Sequence, residues 1–196
     1  MDKFSYAIGL GIGQNLLSMG AKGLAVDDFA QAIKDVLEGN NTAITHAEAR
    51  DIVNKYFAEL EEKVNAANIE QGRQYLEENK KRPGVVTLPS GLQYEVINKG
   101  NAGTRATVTD QVKCHYEGTL IDGTLFDSSI QRGQPAVFGV NQVIPGWVEA
   151  LQLMPEGAKW KLYIPSDLAY GAQGAGEMIP PHSTLVFEVE LLEILS

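Results

Sequence analysis

The stretch NQVIPGWVEALQLMP, residues 141–155, places one of the two tryptophans of the chain directly behind a Pro-Gly pair. From Trp147 onward apolar residues recur at helical spacing, and Pro155 ends the pattern, so the stretch predicts one short helix. A tryptophan in the first turn of a helix either anchors that helix to a core or forms the floor of an open pocket. The sequence patterns of the flanking segments distinguish between these two interpretations.

Segments that alternate between apolar and polar residues surround this helix, and each predicts a β-strand. They are LQYEVI (92–97), VKCHYEG (112–118), KWKLYIP (159–165) and TLVFEVELLEIL (184–195). An Asp-Gly pair at 122–123 is a strong hairpin signal. Several antiparallel strands around one short helix predict an α+β domain over residues 85–196.

The first 84 residues are helical in pattern throughout. A helix over VDDFAQAIKDVLEG ends on Gly39, and a capping box of Thr45 and Glu48 opens a third helix. No breaker follows until Pro83, which allows a helix of about 36 residues. Its apolar stripe ends at Leu60, so we expect the second half to be exposed and to form a stalk.

The apolar surplus of these helices predicts a homodimer held through residues 1–60. Gly9, Gly11 and Gly13 invite a dinucleotide-loop interpretation, but Gln14 occupies the position of the third glycine and no strand precedes it. Small residues at this spacing instead favour close crossing of helices. We therefore expect a helical dimerisation domain and stalk over residues 1–84.

Composition and charge exclude several function classes. With 25 acidic and 16 basic residues the net charge is −9, so the sequence predicts binding neither to nucleic acid nor to a membrane. The single cysteine, Cys114, excludes an internal disulfide and suits a reducing compartment, which favours the cytoplasm. A chain that had lost a leader and gained Met1 would have the same sequence, so the periplasm is the alternative.

Motifs for hydrolysis, phosphoryl transfer and metal chemistry are missing from the sequence. His46, His115 and His182 do not have metal-ligand spacing, and neither a nucleophile elbow nor a phosphate-binding loop is present. Cys114 and His115 are neighbours on a predicted strand and point to opposite faces, so they cannot form a catalytic pair. The sequence predicts no cofactor and no metal.

Aromatic residues are dense beside the predicted turns of the second half. Each could belong to the core, but together they favour a small apolar pocket to which Asp127 and Tyr170 add polar groups. The aromatic residues are Tyr116, Phe126, Phe138, Trp147, Tyr163, Tyr170 and Phe187.

Residues 85–196 resemble the FKBP-type peptidyl-prolyl cis-trans isomerases. The resemblance rests on VKCHYEGTLIDGTLFDSS, VIPGWVEALQLMPEGAKWKLYIP, LAYGAQGAG and IPPHSTLVFEVELLEI, in order and with family-like spacing. The helical first part is similar to the dimerisation region of the bacterial Mip-like branch. The resemblance implies a half-barrel of antiparallel strands around the helix that Trp147 opens.

The resemblance also implies roles for individual residues. Trp147 is implied to form the floor of a proline pocket. The Ile144 N–H is implied to donate a hydrogen bond to the bound peptide. The catalytic residues implied are Asp127, Tyr170, Phe187 and Trp147. The substrate-binding residues implied are Tyr116, Phe126, Phe138, Val143, Ile144, Ala169, Met178 and Ile179, the last three in a flap over the site. Ala136 and Ala175 occupy positions where the family often has larger residues, so the upper wall of the proline pocket is expected to be smaller.

The partners implied are proline-containing unfolded or nascent polypeptides and, as possible inhibitors, the macrolides tacrolimus and rapamycin. The activity implied is acceleration of X–Pro rotation in folding chains, without covalent chemistry. The alternative is a non-catalytic dimeric chaperone or a macrolide- or peptide-binding module.

Overall fold

The structure is a computed structural model that describes residues 1–101 and 103–195. The chain forms two compact units, Met1–Lys63 and the part from Val64 onward. None of the helices in the described part of the chain is long and apolar enough to cross a membrane.

The first unit contains helices α1 (Lys3–Ser18), α2 (Val26–Glu38) and the beginning of α3 (His46–Asn79). The α2 helix ends on Gly39 in the left-handed region (φ 69°), as the sequence predicts. The predicted capping box is present: Thr45 N–H donates to Glu48 Oε2 at 2.8 Å, and Glu48 N–H donates to Thr45 Oγ1 at 3.2 Å. The α3 helix is 34 residues long, close to the predicted length.

Neither α1 nor α2 contains a buried residue. Large apolar side chains on both helices are exposed to solvent. They include Phe4, Tyr6, Ile8, Leu10, Leu17, Val26, Val36 and Leu37. The first unit of a single chain therefore leaves an extensive apolar surface uncovered.

The second unit is built on a seven-stranded antiparallel sheet. Its strands are β1 (Val85–Thr87), β2 (Gln93–Asn98), β3 (Gln111–Leu120), β4 (Leu125–Ser128), β5 (Ala136–Gly139), β6 (Lys159–Ile164) and β7 (Leu185–Leu195). They lie in the order β1-β2-β6-β7-β3-β4, and β5 also pairs with β3. The predicted α+β class and the open antiparallel sheet are confirmed.

Helix α4 (Pro145–Leu153) packs against the sheet and shares its core. Trp147, Ala150 and Leu151 are buried on this helix, at the spacing that the sequence predicts. Val112, Cys114 and Tyr116 face the same core from β3, while His115 between them points to the other side. The Asp-Gly turn at 122–123 joins β3 to β4, with Gly123 at φ 89°.

The prediction that the second half of α3 is exposed holds for most of its residues but not for one face of the helix. Gly72 and Asn79 are buried, and the helix from Val64 belongs to the same compact unit as the sheet. Asn79 Nδ2 donates to Gln93 Oε1 at 2.9 Å, and Gln93 Nε2 donates to the Leu76 carbonyl at 2.9 Å. Apolar periodicity does not indicate this contact, because amides and a glycine make it. The predicted functional division at residue 84 stays a prediction.

Candidate active site

A cavity of about 410 Å³ opens where the first turn of α4 faces the sheet. Its lining is mostly aromatic and aliphatic. The lining residues are Tyr116, Phe138, Gln142, Val143, Ile144, Trp147, Tyr170 and Phe187. A concave apolar site with a few polar groups is the usual form of a ligand pocket.

Trp147 forms the inner wall of this cavity. Pro145 is the first residue of α4, where its fixed φ suits a helix start and its missing N–H costs nothing. The Trp147 ring is only 4% exposed and meets Phe187 edge to face, with the ring centroids 5.3 Å apart. Trp147 also belongs to the core cluster. Both interpretations of the opening stretch therefore hold, since the same ring anchors the helix and lines the cavity.

Close packing of backbone and rings fixes the position of Phe187. Phe126 meets it edge to face at 5.4 Å. Gly118 lies opposite Phe187 in the pairing of β3 with β7. A Cβ at Gly118 would lie 2.6 Å from Phe187 Cε1 and 2.7 Å from the Phe126 ring, so these rings occupy space that only a glycine leaves free.

A hydrogen-bonded group of Tyr116, Asp127 and Arg132 forms the polar rim. The Tyr116 hydroxyl donates to Asp127 Oδ2 at 2.6 Å. Arg132 forms an ion pair with Asp127 and donates from Nη2 to the Tyr116 oxygen at 2.7 Å. The Arg132 guanidinium also lies 5.6 Å from the centre of the Tyr116 ring.

These contacts shift the pKa of each group away from neutrality. Partial burial favours the protonated Asp127 carboxyl, but the hydrogen bonds from Tyr116 and Arg132 outweigh it, and the pKa lies below its ordinary value. Burial, followed by the hydrogen bond to Asp127, raises the pKa of Tyr116. Burial raises the pKa of Tyr170 as well. The rim therefore holds a carboxylate and two neutral phenols near neutral pH.

Several hydrogen-bond donors of the cavity wall have no acceptor among the described residues. They include the Ile144 backbone N–H, the Tyr170 hydroxyl and the buried Nε1 of Trp147. The Ile144 carbonyl, by contrast, accepts from the N–H groups of Trp147 and Val148 and so fixes the peptide unit at the start of α4. The Ile144 N–H and the Tyr170 hydroxyl can bind carbonyl oxygens of a ligand.

Most of the predicted site residues lie around this one cavity. Phe126 and Asp127 contact lining residues from behind the wall. Ala169 precedes the lining residue Tyr170 and packs against the core. Ile179 is buried in the core and Met178 is 47% exposed, and neither lines the cavity. Their roles as flap residues stay predictions.

Gln142 and Arg132 were not predicted as site residues. Gln142 lines the cavity from the 3₁₀ turn Val140–Gln142, directly before the Val-Ile-Pro-Gly-Trp run. Arg132 lies in the loop between β4 and β5, five residues after Asp127. Its only signal in the sequence is a cation close along the chain to the predicted carboxylate, Asp127.

Comparisons with known proteins agree with this geometry. The profile described as "FKBP-type peptidyl-prolyl cis-trans isomerase" matches residues 103–192, and the profile of the "domain amino terminal to FKBP-type peptidyl-prolyl isomerase" matches residues 1–96. The FKBP-type 22 kDa peptidyl-prolyl cis-trans isomerase of Escherichia coli is 52% identical over 97% of this chain and 94% of its own length. The chain belongs to the FKBP-type peptidyl-prolyl cis-trans isomerases.

Two further relatives support the assignment over nearly the whole chain. The outer membrane protein MIP of Legionella longbeachae is 42% identical over 98% of this chain and 85% of its own length. The crystal structure of FkpA from Escherichia coli matches with a TM-score of 0.81 and 36% identity, covering 98% of this chain and 95% of that chain. This FKBP-type protein is therefore a peptidyl-prolyl cis-trans isomerase, with a helical region in front of its isomerase fold.

Proposed function

We propose that the cavity isomerises X–Pro bonds by excluding water from the peptide bond and binding its neighbouring carbonyl groups. The planar amide is more charge-separated than the twisted one, because resonance moves charge from nitrogen to oxygen. A dry aromatic wall therefore favours the twisted state. Trp147, Phe187 and Tyr116 provide that wall, and the observation that carries the proposal is their meeting in one open cavity.

The energy required is modest and needs no nucleophile. The barrier to peptide-bond rotation is about 18–20 kcal/mol. A thousandfold acceleration requires about 4 kcal/mol of preferential binding to the transition state. The Ile144 N–H and the Tyr170 hydroxyl, which have no acceptor among the described residues, would add directed hydrogen bonds to the effect of desolvation.

Replacing one wall residue tests this proposal. Phe187→Leu should lower kcat/KM on a short proline peptide by about tenfold, equivalent to about 1.4 kcal/mol. Val186→Ala is the matched control, because Val186 is also buried on β7 but faces the other side and does not line the cavity. Equal activity of the two variants, at matched folded fractions, would show that Phe187 does not contribute to catalysis.

We also propose that the chain is a homodimer formed through residues 1–60. The observation that carries this proposal is that neither α1 nor α2 buries a residue within one chain. Monomeric proteins rarely leave so large an apolar surface exposed. Light scattering at low micromolar concentration should give about twice the chain mass of 21.3 kDa. A monomer at that concentration would contradict the proposal.

A dimer would suit unfolded client chains, which a single proline pocket binds weakly. Two linked pockets can raise avidity by about 10²–10⁴-fold when one client spans both. Short peptides cannot span two sites and should show no such gain. If the chain were only a non-catalytic chaperone or binding module, it would bind proline peptides without accelerating their exchange.

Macrolides such as tacrolimus and rapamycin are proposed to bind the same cavity with reduced affinity. Ala136 and Ala175 pack against the core as small residues, so they offer a ligand less contact area than larger side chains would. Competition with a proline peptide in calorimetry tests the shared site. The cytoplasmic location stays a prediction, and the outer membrane name of the Legionella relative favours testing the periplasmic alternative by cell fractionation.

A further inference from the structure

Within the second unit, one face of the C-terminal part of α3 contacts the rest of that unit with small and polar residues. Asn68 and Gly72 are four residues apart and therefore lie on the same side of the helix. Gly72 is buried against Thr184, and a Cβ at position 72 would overlap the Thr184 hydroxyl and lie 3.3 Å from Thr184 Cβ. The glycine thus lets the helix approach the chain that enters β7.

Asn68 bonds to that same segment one helical turn earlier. Its side-chain Nδ2 donates to the Pro181 carbonyl at 2.9 Å, across 113 positions of sequence. Proline has no N–H, so its carbonyl is the only backbone group of Pro181 that can hold this point of the loop. Asn68 is half-buried, which shields the bond from competing water.

Pro181 closes a loop that returns to the cavity. Within the 171–181 loop, Ala175 N–H donates to the Ile179 carbonyl at 2.9 Å and Ile179 N–H donates back at 3.1 Å. The next residue after Pro181, His182, adopts φ 59° and donates its N–H to the Gly171 carbonyl at 2.8 Å. Gly171 directly follows Tyr170, whose ring lines the cavity.

These contacts form a continuous connection from the helix to the cavity wall. It runs from Asn68 through Pro181 and His182 to Gly171 and so to Tyr170. A carbonyl held from the helix side limits the positions open to the 171–181 loop, and with it the position of the Tyr170 phenol. The C-terminal part of α3 therefore also holds the 171–181 loop, in addition to connecting two parts of the chain.

We propose that Asn68 is a positioning residue for the isomerase reaction. It fixes the 171–181 loop through the Pro181 carbonyl, and Gly72 permits the close approach that this bond requires. Without the bond, the loop spends part of its time in arrangements that do not bind substrate. The apparent affinity then falls in proportion to the competent fraction, while turnover from the bound state changes little.

The test compares variants of the full chain in a proline-peptide exchange assay over a range of peptide concentrations. Asn68→Ala should raise KM by about three- to tenfold and change kcat by less than about twofold. Asn68→Asp should raise KM at least as much, because its carboxylate would face the Pro181 carbonyl oxygen. Asn68→Gln keeps the amide donor and should recover most of the affinity. Asn65→Ala, a half-buried asparagine of the same helix, is the control.

Hydrogen exchange supplies a readout that overall destabilisation would not reproduce. In Asn68→Ala the amides of Ala175, Ile179 and His182 should exchange faster, whereas those in the centre of β6 and β7 should keep their wild-type rates. Gly72→Ala should give the same pattern without removing the amide of Asn68. Unchanged KM and loop exchange in both Asn68→Ala and Gly72→Ala would overturn the proposal. So would an equal effect in Asn65→Ala, or faster exchange spread evenly over the sheet.

Discussion

The Tyr116 hydroxyl donates a hydrogen bond of 2.6 Å to Asp127, which joins a ring of the cavity wall to a carboxylate at its rim. Arg132 binds both groups and so fixes their relative position. The carboxylate therefore acts on the cavity through the orientation and polarisation of the Tyr116 hydroxyl. Removal of Asp127 should consequently affect catalysis more than stability.

Asp127→Ala should lower kcat/KM on a short proline peptide by about tenfold or more, or at least about 1.4 kcal/mol. The variant leaves the Tyr116 phenol and the Arg132 guanidinium without their shared acceptor. Asp167→Ala is the control, since Asp167 is exposed on a neighbouring turn and outside the cavity lining. Activity of Asp127→Ala within twofold of the control would show that the rim carboxylate is dispensable.

The polar rim should not titrate between about pH 5 and pH 9. The pKa of Asp127 is lowered from 3.8, so its ion pair stabilises the fold above that pH and is lost as the pH falls through the lowered value. The pKa values of Tyr116 and Tyr170 are raised from 10.0, so both phenols stay protonated throughout this range. Profiles of kcat/KM against pH for wild type and Asp127→Asn test whether any rim group titrates in this range. An inflection within the range that disappears in Asp127→Asn would contradict the assigned direction.

Gly118→Ala should damage the cavity wall through packing alone. Its methyl group would overlap the Phe187 and Phe126 rings, and overpacking of this kind costs about 1–3 kcal/mol. We expect a lower Tm together with a lower kcat/KM. Adding Phe126→Leu should restore part of the Tm, because the shorter side chain makes room for the methyl group. Independent effects of the two substitutions would contradict a direct contact.

A chain cut to residues 85–196 should be less stable than one cut to residues 64–196. The shorter form loses the hydrogen bonds that Asn79 and Leu76 make to Gln93, and it loses Arg82, which donates to the Tyr163 hydroxyl at 2.9 Å. We expect a loss of about 2 kcal/mol or more, seen as a Tm lower by at least about 5 °C. Equal Tm values would mean that the end of α3 contributes nothing to the fold.

The sequence predicted the elements whose signal is local and periodic. The α4 helix, the strands β2, β3, β6 and β7, the Asp-Gly hairpin and the Thr45–Glu48 capping box all follow from spacing or turn chemistry, whereas the short strands β1 and β5 were not predicted. The burial of Gly72 and Asn79 could not be predicted in this way, because a glycine and an amide become buried only through the segment that packs against them. The sequence therefore gives no local sign that the end of α3 packs on the sheet.

The same distinction between local signals and contacts from distant segments applies to the candidate site. Its aromatic wall could be proposed from residue type, turn proximity and family resemblance, and five of the seven rings line the cavity. Phe126 packs behind Phe187, and Tyr163 instead bonds to Arg82 and Glu95. Arg132 was missed because a charged residue in a loop gives no periodic signal, and its role depends on the path of the β4–β5 loop. The packing of Gly118 against two rings likewise depends on strand register, which alternation alone does not determine.

We expect this one cavity both to bind and to isomerise proline peptides. Exchange spectroscopy on a short X–Pro peptide, recorded together with amide spectra of the protein, tests binding and turnover in one sample. We expect catalytic amounts of the chain to accelerate cis–trans exchange, and the peptide to shift the amide signals of Ile144 and Tyr170. Phe187→Leu should weaken both effects, and Val186→Ala neither. Peptide exchange at the uncatalysed rate, or acceleration with shifts confined to residues outside the cavity, would contradict a cavity that both binds and isomerises the peptide.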